Sequence, residues 1–198
     1  MMISLSIAFF FLAISAFSAP LASAGTTITG CPILSTPSYG TENAIFTACA
    51  NTTIHAPASL VYKVLTDFDR YHEWNTFVVD VKLLTPPPYQ PESHMRFTNA
   101  GLFPPSDVKA TSYEIITSLS EEDTTAVWRF DSPAPSLVLA EHVSQIVPVD
   151  ENTAWYNSWE TYYHAVGGVA IEMTLGKELV NAFEVQAEDL KKRAESMV

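Results

Sequence analysis

Ile54-His55-Ala56-Pro57-Ala58-Ser59-Leu60-Val61-Tyr62-Lys63-Val64-Leu65-Thr66-Asp67-Phe68-Asp69-Arg70-Tyr71-His72-Glu73-Trp74-Asn75 is the stretch on which the fold turns. Its first residue closes a β-prone run, Ala44 to Ile54, that reads as a first strand. Pro57 suits the first turn of a helix, where its missing N–H has no intrahelical partner to lose. Leu60, Val61, Val64 and Leu65 recur at helical spacing and make one apolar face. Asp67 to Trp74 then predicts a second short helix.

Toward the C-terminus the signal changes to strands. Phe77-Val78-Val79-Asp80-Val81 precedes a turn at Pro86-Pro87-Pro88, and His94 to Asn99, Val108 to Ser118, Thr124 to Phe130, Leu137 to Val147 and Thr153 to His164 follow. The breaks, such as Gly101-Leu102-Phe103-Pro104-Pro105 and Ser120-Glu121-Glu122-Asp123, are loop-like, and six consecutive strands on hairpin-length loops imply an antiparallel sheet. From Gly168 to Met197, the residues Val169, Met173, Val180, Phe183, Ala187 and Leu190 repeat by threes and fours, one stripe of a long amphipathic helix. Gly176 on that stripe permits close approach, and Lys191, Lys192 and Arg193 fall in the last turns, where cations suit the helix dipole. The predicted order is strand, two short helices, six strands and a long helix: an α+β domain over residues 44–198.

Toward the N-terminus, residues 25–43 are rich in Thr, Ser, Pro and Gly and predict an irregular arm. The first 24 residues carry no ionisable side chain, Leu5 to Phe17 is almost unbroken apolar sequence, and Ala22-Ser23-Ala24 supplies an A-x-A site. This is the layout of a secretory signal peptide, cleaved after Ala24, and it is short of the ~20 apolar residues of a membrane span. No later segment is long and apolar enough to span a bilayer, so no stable membrane span is expected after cleavage. In an oxidising secretory lumen two cysteines, Cys31 and Cys49, permit one intramolecular pairing, which would tether the arm to the first strand. The sequon Asn51-Thr52-Thr53 fits the same compartment as a glycosylation acceptor.

The formal charge of the 198 residues is −12. That balance argues against nucleic acid, whose phosphates need a basic face, and against docking on anionic lipid. No G-x-S-x-G, H-E-x-x-H, C-x-x-C, Walker loop or G-x-G-x-x-G occurs. The five histidines show no paired ligand spacing, so neither a metal site nor a dedicated cofactor is predicted.

The order of elements, together with local wording, resembles the START-like (SRPBCC) superfamily. Ile54 to Tyr62 is similar to that family's "I-x-A-P-x-x-x-V-W/Y" opening, Leu65 to Asn75 to its "L-T-D-F-x-x-Y-x-x-W-N/D" second helix, and Trp159-Glu160-Thr161-Tyr162 to the "W-E-T-F" of its last strand. The wording resembles the polyketide cyclase/dehydrase-like branch. Relatives usually carry a glycine after "W-E-T-F"; here His164 stands near that place and Gly167-Gly168 come later, so the junction into the long helix is altered. The resemblance implies a helix-grip fold: a seven-stranded curved antiparallel sheet with two short helices, and a long C-terminal helix closing an internal cavity for a hydrophobic small molecule.

Which face of the last strand lines that cavity is read in two ways. Alternation puts Trp155, Trp159 and Tyr163 on one face and Tyr156, Glu160, Tyr162 and His164 on the other. Amphipathicity alone buries the tryptophans; the family resemblance instead turns Glu160 and Tyr162 inward and leaves Trp155 and Trp159 on the convex side, to be covered by the tethered arm. On the second choice the neighbouring strands offer His142, with Ala140 and Ile146, and Trp128, with Ala126 and Phe130. Glu160 and His142 are then the candidate catalytic pair, able to relay a proton in an apolar pocket, and Trp128, Tyr156 and Tyr162 are candidate ligand contacts. A cofactor-independent cyclase shaping a polyketide- or terpenoid-like intermediate in secondary-metabolite biosynthesis is the first functional expectation. A secreted non-catalytic carrier of a hydrophobic molecule is the second, and an interaction protein with a filled core the third. The sequence leaves the oligomeric state open.

Overall fold

The computed structural model describes residues 29–103, 108–131, 138–163 and 166–198. The signal-peptide reading of residues 1–24, Pro104-Pro105, the start of a strand at Leu137, and His164 lie outside the described residues.

Seven strands form one antiparallel sheet: β1 (Ala44–Ile54), β2 (Val78–Leu83), β3 (His94–Asn99), β4 (Ala110–Ser120), β5 (Thr125–Phe130), β6 (Ala140–Asp150) and β7 (Thr153–Tyr163). Their order across the sheet is β1-β7-β6-β5-β4-β3-β2, so every neighbour from β2 to β7 is also the next strand in the chain and β1 closes the far edge against β7. Helix α1 (Ala58–Thr66) and a 3₁₀ helix (Phe68–Glu73) connect β1 to β2, and helix α2 (Val166–Glu195) follows β7. This is the helix-grip arrangement of START-like proteins.

The stretch that decides the fold works through a few hydrogen bonds. Pro57 stands just before α1 as its cap, with its carbonyl accepting from the N–H groups of Leu60 (2.9 Å) and Val61 (3.1 Å), one position earlier than expected. Its fixed φ and missing N–H cost nothing at a helix start. Asp67 interrupts the helical path and the chain tightens into the 3₁₀ turn. There the buried Tyr71 hydroxyl donates to the Leu65 carbonyl (2.6 Å), locking the turn back onto α1. Asn75 Oδ1 accepts from the N–H groups of Phe77 (3.0 Å) and Val78 (2.8 Å), an Asx-type turn that launches β2.

Helix α2 presents Leu179, Ala182, Phe183, Gln186, Ala187, Leu190 and Ala194 to the sheet. Two members of the expected stripe, Val169 and Met173, are exposed at 51% and 72%. The face that packs in the first turns runs instead through Ile171 and Leu175, because residues two apart lie about 200° apart around a helix. Gly168 is where a small residue is required: a Cβ there would come within 2.9 Å of both the Tyr163 carbonyl and Ile45 Cδ1.

Cys31 and Cys49 form a disulfide (Cα–Cα 6.0 Å), and the arm lies across the convex face of β1, β7 and β6. Trp159 Nε1 donates to the Ser35 carbonyl (3.0 Å) and the Thr161 hydroxyl to the Leu34 carbonyl (2.8 Å). Glu141, fully buried on this face, accepts from Ser38 N–H (2.8 Å), Ser38 hydroxyl (2.6 Å) and Thr117 hydroxyl (3.1 Å). Three donors make burial of that carboxyl tolerable. Trp159 is thus covered by the arm as expected, while Trp155 stays 36% exposed, its Nε1 bonded to Asn157 Oδ1. Among the described residues no helix is long and apolar enough to cross a membrane.

Candidate functional site

A cavity of about 170 Å³ lies between the concave face of the sheet and α2. Its walls are largely apolar: Phe77, Phe97, Trp128 and Phe130 from the β2, β3 and β5 side, and Leu179 and Phe183 from α2. Into this space project a small set of polar groups.

Glu160 and Tyr162 line the cavity, so the inward face of β7 is the one the family resemblance implied. Residues two apart on a strand share a face. The Tyr162 hydroxyl donates to Glu160 Oε2 at 2.7 Å, and Phe46 of β1 stacks on the Tyr162 ring at 4.4 Å, fixing its direction. Burial among apolar walls pushes the Glu160 carboxyl up to about 7, with the hydrogen bond from Tyr162 opposing the rise. The Tyr162 hydroxyl is held well above its ordinary range, first by burial and then by the adjacent Glu160 charge. A carboxyl balanced near neutrality can both take and give a proton at physiological pH.

His142 lies directly opposite Glu160 in the β6–β7 register and faces the same cavity, yet no hydrogen bond links the two side chains. Its ring is sandwiched between Trp128 (4.4 Å) and Phe183 (4.9 Å), and its Nε2 is shared by the hydroxyls of Ser144 (3.2 Å) and Ser158 (3.1 Å). Burial lowers its pKa to about 3, so the imidazole is neutral over the physiological range. A ring so engaged is a wall and a hydrogen-bonding anchor; the geometry gives it no proton path to Glu160. Tyr156 is fully buried on the inward side of β7, but it lies beneath the cavity wall, where its hydroxyl meets Ser144 at 3.0 Å. Trp128 lines the cavity and is the hub of its aromatic wall, meeting Phe68 and Phe97 edge-on at 5.9 and 5.8 Å.

Four polar groups of the cavity escaped the sequence reading: Asn99, whose amide donates to the Ser112 hydroxyl at 3.1 Å, Ser112 itself, Glu114 and Gln186. Glu114 of β4, 5% exposed, has its Oε2 buried without a hydrogen-bond partner. Burial raises its pKa well above the ordinary value, the Glu160 charge adds to the rise, and a bond from Ser112 opposes it. Gln186 of α2, 3% exposed, has an unpartnered Nε2. The available signal was alternation: Ser112, Glu114 and Ile116 share a strand face, and Gln186 sits on the stripe between Phe183 and Leu190. Asn51 lies within β1 with its side chain exposed, two residues from Cys49. Among the described residues no cluster of His, Cys, Asp or Glu could hold a metal ion.

The family described as Polyketide cyclase / dehydrase and lipid transport matches residues 47–195. No curated protein matches the sequence. Among solved structures, an aromatase/cyclase named Zhui from Streptomyces sp. R1128 is similar at 16% identity and TM-score 0.59, covering 76% of this chain and 93% of that one. A START superfamily protein from Mycobacterium smegmatis is similar at 15% identity and TM-score 0.58, covering 77% and 99%. A protein of Thermus thermophilus aligns at 14% identity and TM-score 0.61, covering 77% and 99%.

Proposed function

This chain belongs to the polyketide cyclase/dehydrase and lipid transport family, and from that premise we propose that it is a cofactor-independent, cyclase-type enzyme acting on a hydrophobic polyketide- or terpenoid-like molecule held in the concave cavity. The family supports binding or cyclisation of a hydrophobic small molecule; the assignment to cyclisation rests on Glu160. A carboxyl poised at about 7 inside an apolar cavity, and oriented by Tyr162, is the observation that carries it.

In the proposed step the Glu160 carboxylate takes a proton from a carbon next to a carbonyl of the guest. The resulting enolate carbon attacks a second carbonyl of the same molecule, and the new alkoxide receives the proton back from Glu160. The walls fold the chain so that the two carbons meet, which converts an improbable encounter into a local one. Tyr162 holds the carboxylate in place, and His142, Trp128 and Phe183 shape the guest.

Transport without chemistry is the second reading, favoured by the mainly apolar lining and by the lipid transport members of the family. The chain is proposed to act in the secretory lumen or outside the cell, after loss of residues 1–24 and with glycan on Asn51; the Cys31–Cys49 bond is consistent with that compartment. Intact mass of secreted protein tests both modifications.

The functional test has two arms. Uptake of the neutral dye Nile red reports the cavity, and absence of uptake would overturn the binding reading. Cyclisation of a synthetic poly-β-ketone, followed by product ratio with wild type and Glu160→Gln, reports the chemistry. An unchanged product ratio with wild type, against buffer alone, leaves the carrier.

A further inference from the structure

The polar groups inside the cavity carry a chemical preference that its apolar walls do not. Glu114 and Glu160 come from β4 and β7, three strands apart in the sheet order, and both line the same space because the sheet curves around it. Among the described residues no lysine or arginine lines the cavity, and neither carboxyl takes part in an ion pair. Glu160 has Tyr162 as a donor, whereas Glu114 Oε2 is buried with no donor at all. A buried acceptor left unpaired is costly, and a buried carboxylate without a counter-charge is costlier still. Groups so placed are completed by what enters the cavity.

We infer that the guest is a hydrophobic amine: an aromatic or alicyclic body seated against Trp128 and Phe183, with one basic nitrogen whose ammonium hydrogens are accepted by Glu114 Oε2 and whose charge is shared with the Glu160 carboxylate. This rests on the reading of the cavity as a ligand site and narrows its guest to a polyketide- or terpenoid-like body that carries one basic nitrogen. Beside the bond from Ser112, an ammonium supplies the donor that Glu114 Oε2 lacks and the positive charge that the lining lacks. The carboxyls are already desolvated by the protein around them, so the cost of stripping water from them has been met during folding. Anionic guests are disfavoured by the same groups, since a third carboxylate would face two others. Fatty acids are therefore poor ligands of this cavity despite its apolar walls. The unpaired amide N–H of Gln186, on α2 opposite the sheet, is left for an oxygen on the same guest.

The charge logic also fixes the pH dependence. The groups facing the carboxyls are Tyr162 on β7, which stays neutral, His142 on β6, which burial keeps uncharged, and Asp131 after β5, which adds negative charge; α2 contributes no charged group to the described lining. Glu160 is the group that changes state near neutrality, so the amine binds more tightly as pH rises through about 7, the point to which burial pushes it. The ammonium itself stays protonated through this range.

Isothermal titration with three phenyl-bearing probes of similar bulk tests the assignment: phenethylamine, 2-phenylethanol and phenylacetate. At pH 8 the expected order is amine over alcohol by at least tenfold, with the acid weakest. From pH 8 to pH 6 the amine's affinity falls by about tenfold while the amine-to-alcohol ratio shrinks in step. In Glu114→Gln the ratio at pH 8 drops to within threefold of one; should that variant fail to fold, the pH series on wild type alone decides. Alcohol bound as tightly as amine at pH 8 overturns the amine assignment and leaves the cavity reading intact. A pH-independent amine affinity overturns it as well. Binding of none of the three, with Nile red also excluded, overturns both.

Discussion

The Tyr162 hydroxyl stands 2.7 Å from Glu160 Oε2, two residues earlier on the same strand, and this bond works against the effect of the walls around it. Apolar burial favours the protonated acid, and a donated hydrogen bond favours the carboxylate. The balance leaves Glu160 at about 7, where neither form dominates. A strand is well suited to hold such a pair, since alternation alone brings the two side chains to one face and cross-strand stacking by Phe46 fixes the ring.

Removing each partner separates its role. Glu160→Gln preserves shape and abolishes proton transfer, so turnover falls by ~10²- to 10⁴-fold, the range typical of general acid–base catalysis. Tyr162→Phe removes the one bond that lowers the carboxyl's pKa. Its expected signature is a pH–rate profile whose acidic limb moves above pH 7, with kcat at high pH largely retained. A Tyr162→Phe profile superimposable on wild type would show that the hydroxyl does not tune Glu160.

The order of elements was open to sequence reading because its signals are local: period-two runs for the strands, period-3.6 runs for the helices, and a proline at the first junction. Two strands, Ala44–Ile54 and His94–Asn99, match their expected limits to the residue. The inward face of β7 was open only through family resemblance, because Trp155 and Trp159 are bulkier than Glu160 and simple amphipathicity points the wrong way. The arm resolves that conflict by lying over half-buried Trp159 on the convex side, where the Ser35 carbonyl accepts from its indole. Val169 and Met173 were misread because a helix with apolar residues on several sides has no unique stripe in sequence. Glu114 and the true surroundings of His142 were illegible for a different reason. Which polar groups share a cavity depends on sheet curvature, and a lone Glu in a strand run carries no mark of where that curvature takes it.

Trp128 is the joint between wall and core. Its indole stacks on His142 and meets Phe68 and Phe97 edge-on, and it is 3% exposed. Trp128→Ala should cost ~3–5 kcal/mol, as large aromatic truncations in cores do. The enlarged cavity should hold small guests less tightly and admit bulkier ones. Urea unfolding and Nile red titration read the two effects. A loss below ~1 kcal/mol would mean that the wall collapses to fill the space.

Gly168 and Gly176 differ in what a methyl group would meet. At Gly168 it would strike backbone oxygen and Ile45 at 2.9 Å; at Gly176 it would meet Thr29 Cγ2 at 3.3 Å and Glu172 Cγ at an ordinary 3.8 Å. Gly168→Ala should therefore cost ~1–3 kcal/mol through overpacking at the β7–α2 junction. Gly176→Ala should be within ~1 kcal/mol of neutral, helix propensity offsetting the tight contact. Equal melting temperatures for the two variants would contradict this assignment of the junction.

The arm is held at one end by the disulfide and further along by Glu141. Replacing both cysteines by serine removes a cross-link spanning 18 residues, worth ~3 kcal/mol in the chain-entropy model. Glu141→Ala strands Ser38 N–H and frees the arm at its other anchor. Each change should shift Trp159 fluorescence to the red as Ser35 leaves the indole. Unaltered emission in both would place the cover of Trp159 elsewhere.

His142 and Glu160 face each other across adjoining strands and titrate in opposite senses, which gives the molecule a measurable pH signature. The imidazole's pKa falls from 6.5 to about 3 on folding, so between those values the unfolded chain binds more protons and stability drops as pH falls. At pH 5 that loss amounts to ~2 kcal/mol by proton linkage. The Glu160 carboxyl rises from 4.5 to about 7, so its contribution is fully present below pH 4.5 and is lost as pH climbs to 7. Glu114 acts in the same direction as Glu160. In the shared window, pH 4.5 to 6.5, the His142 and Glu160 slopes cancel. His142→Phe removes the rising component, and its stability should fall with pH more steeply than wild type by ~1.4 kcal/mol per unit. Glu160→Gln removes a falling component and should tilt the curve the other way by the same amount. Slopes, unlike absolute stabilities, are unaffected by the partners that Ser144 and Ser158 lose in His142→Phe. Urea unfolding across that window reads them directly. Parallel curves for the three proteins would mean that both groups remain solvated, and the apolar cavity would then lack the burial on which the poised carboxyl depends.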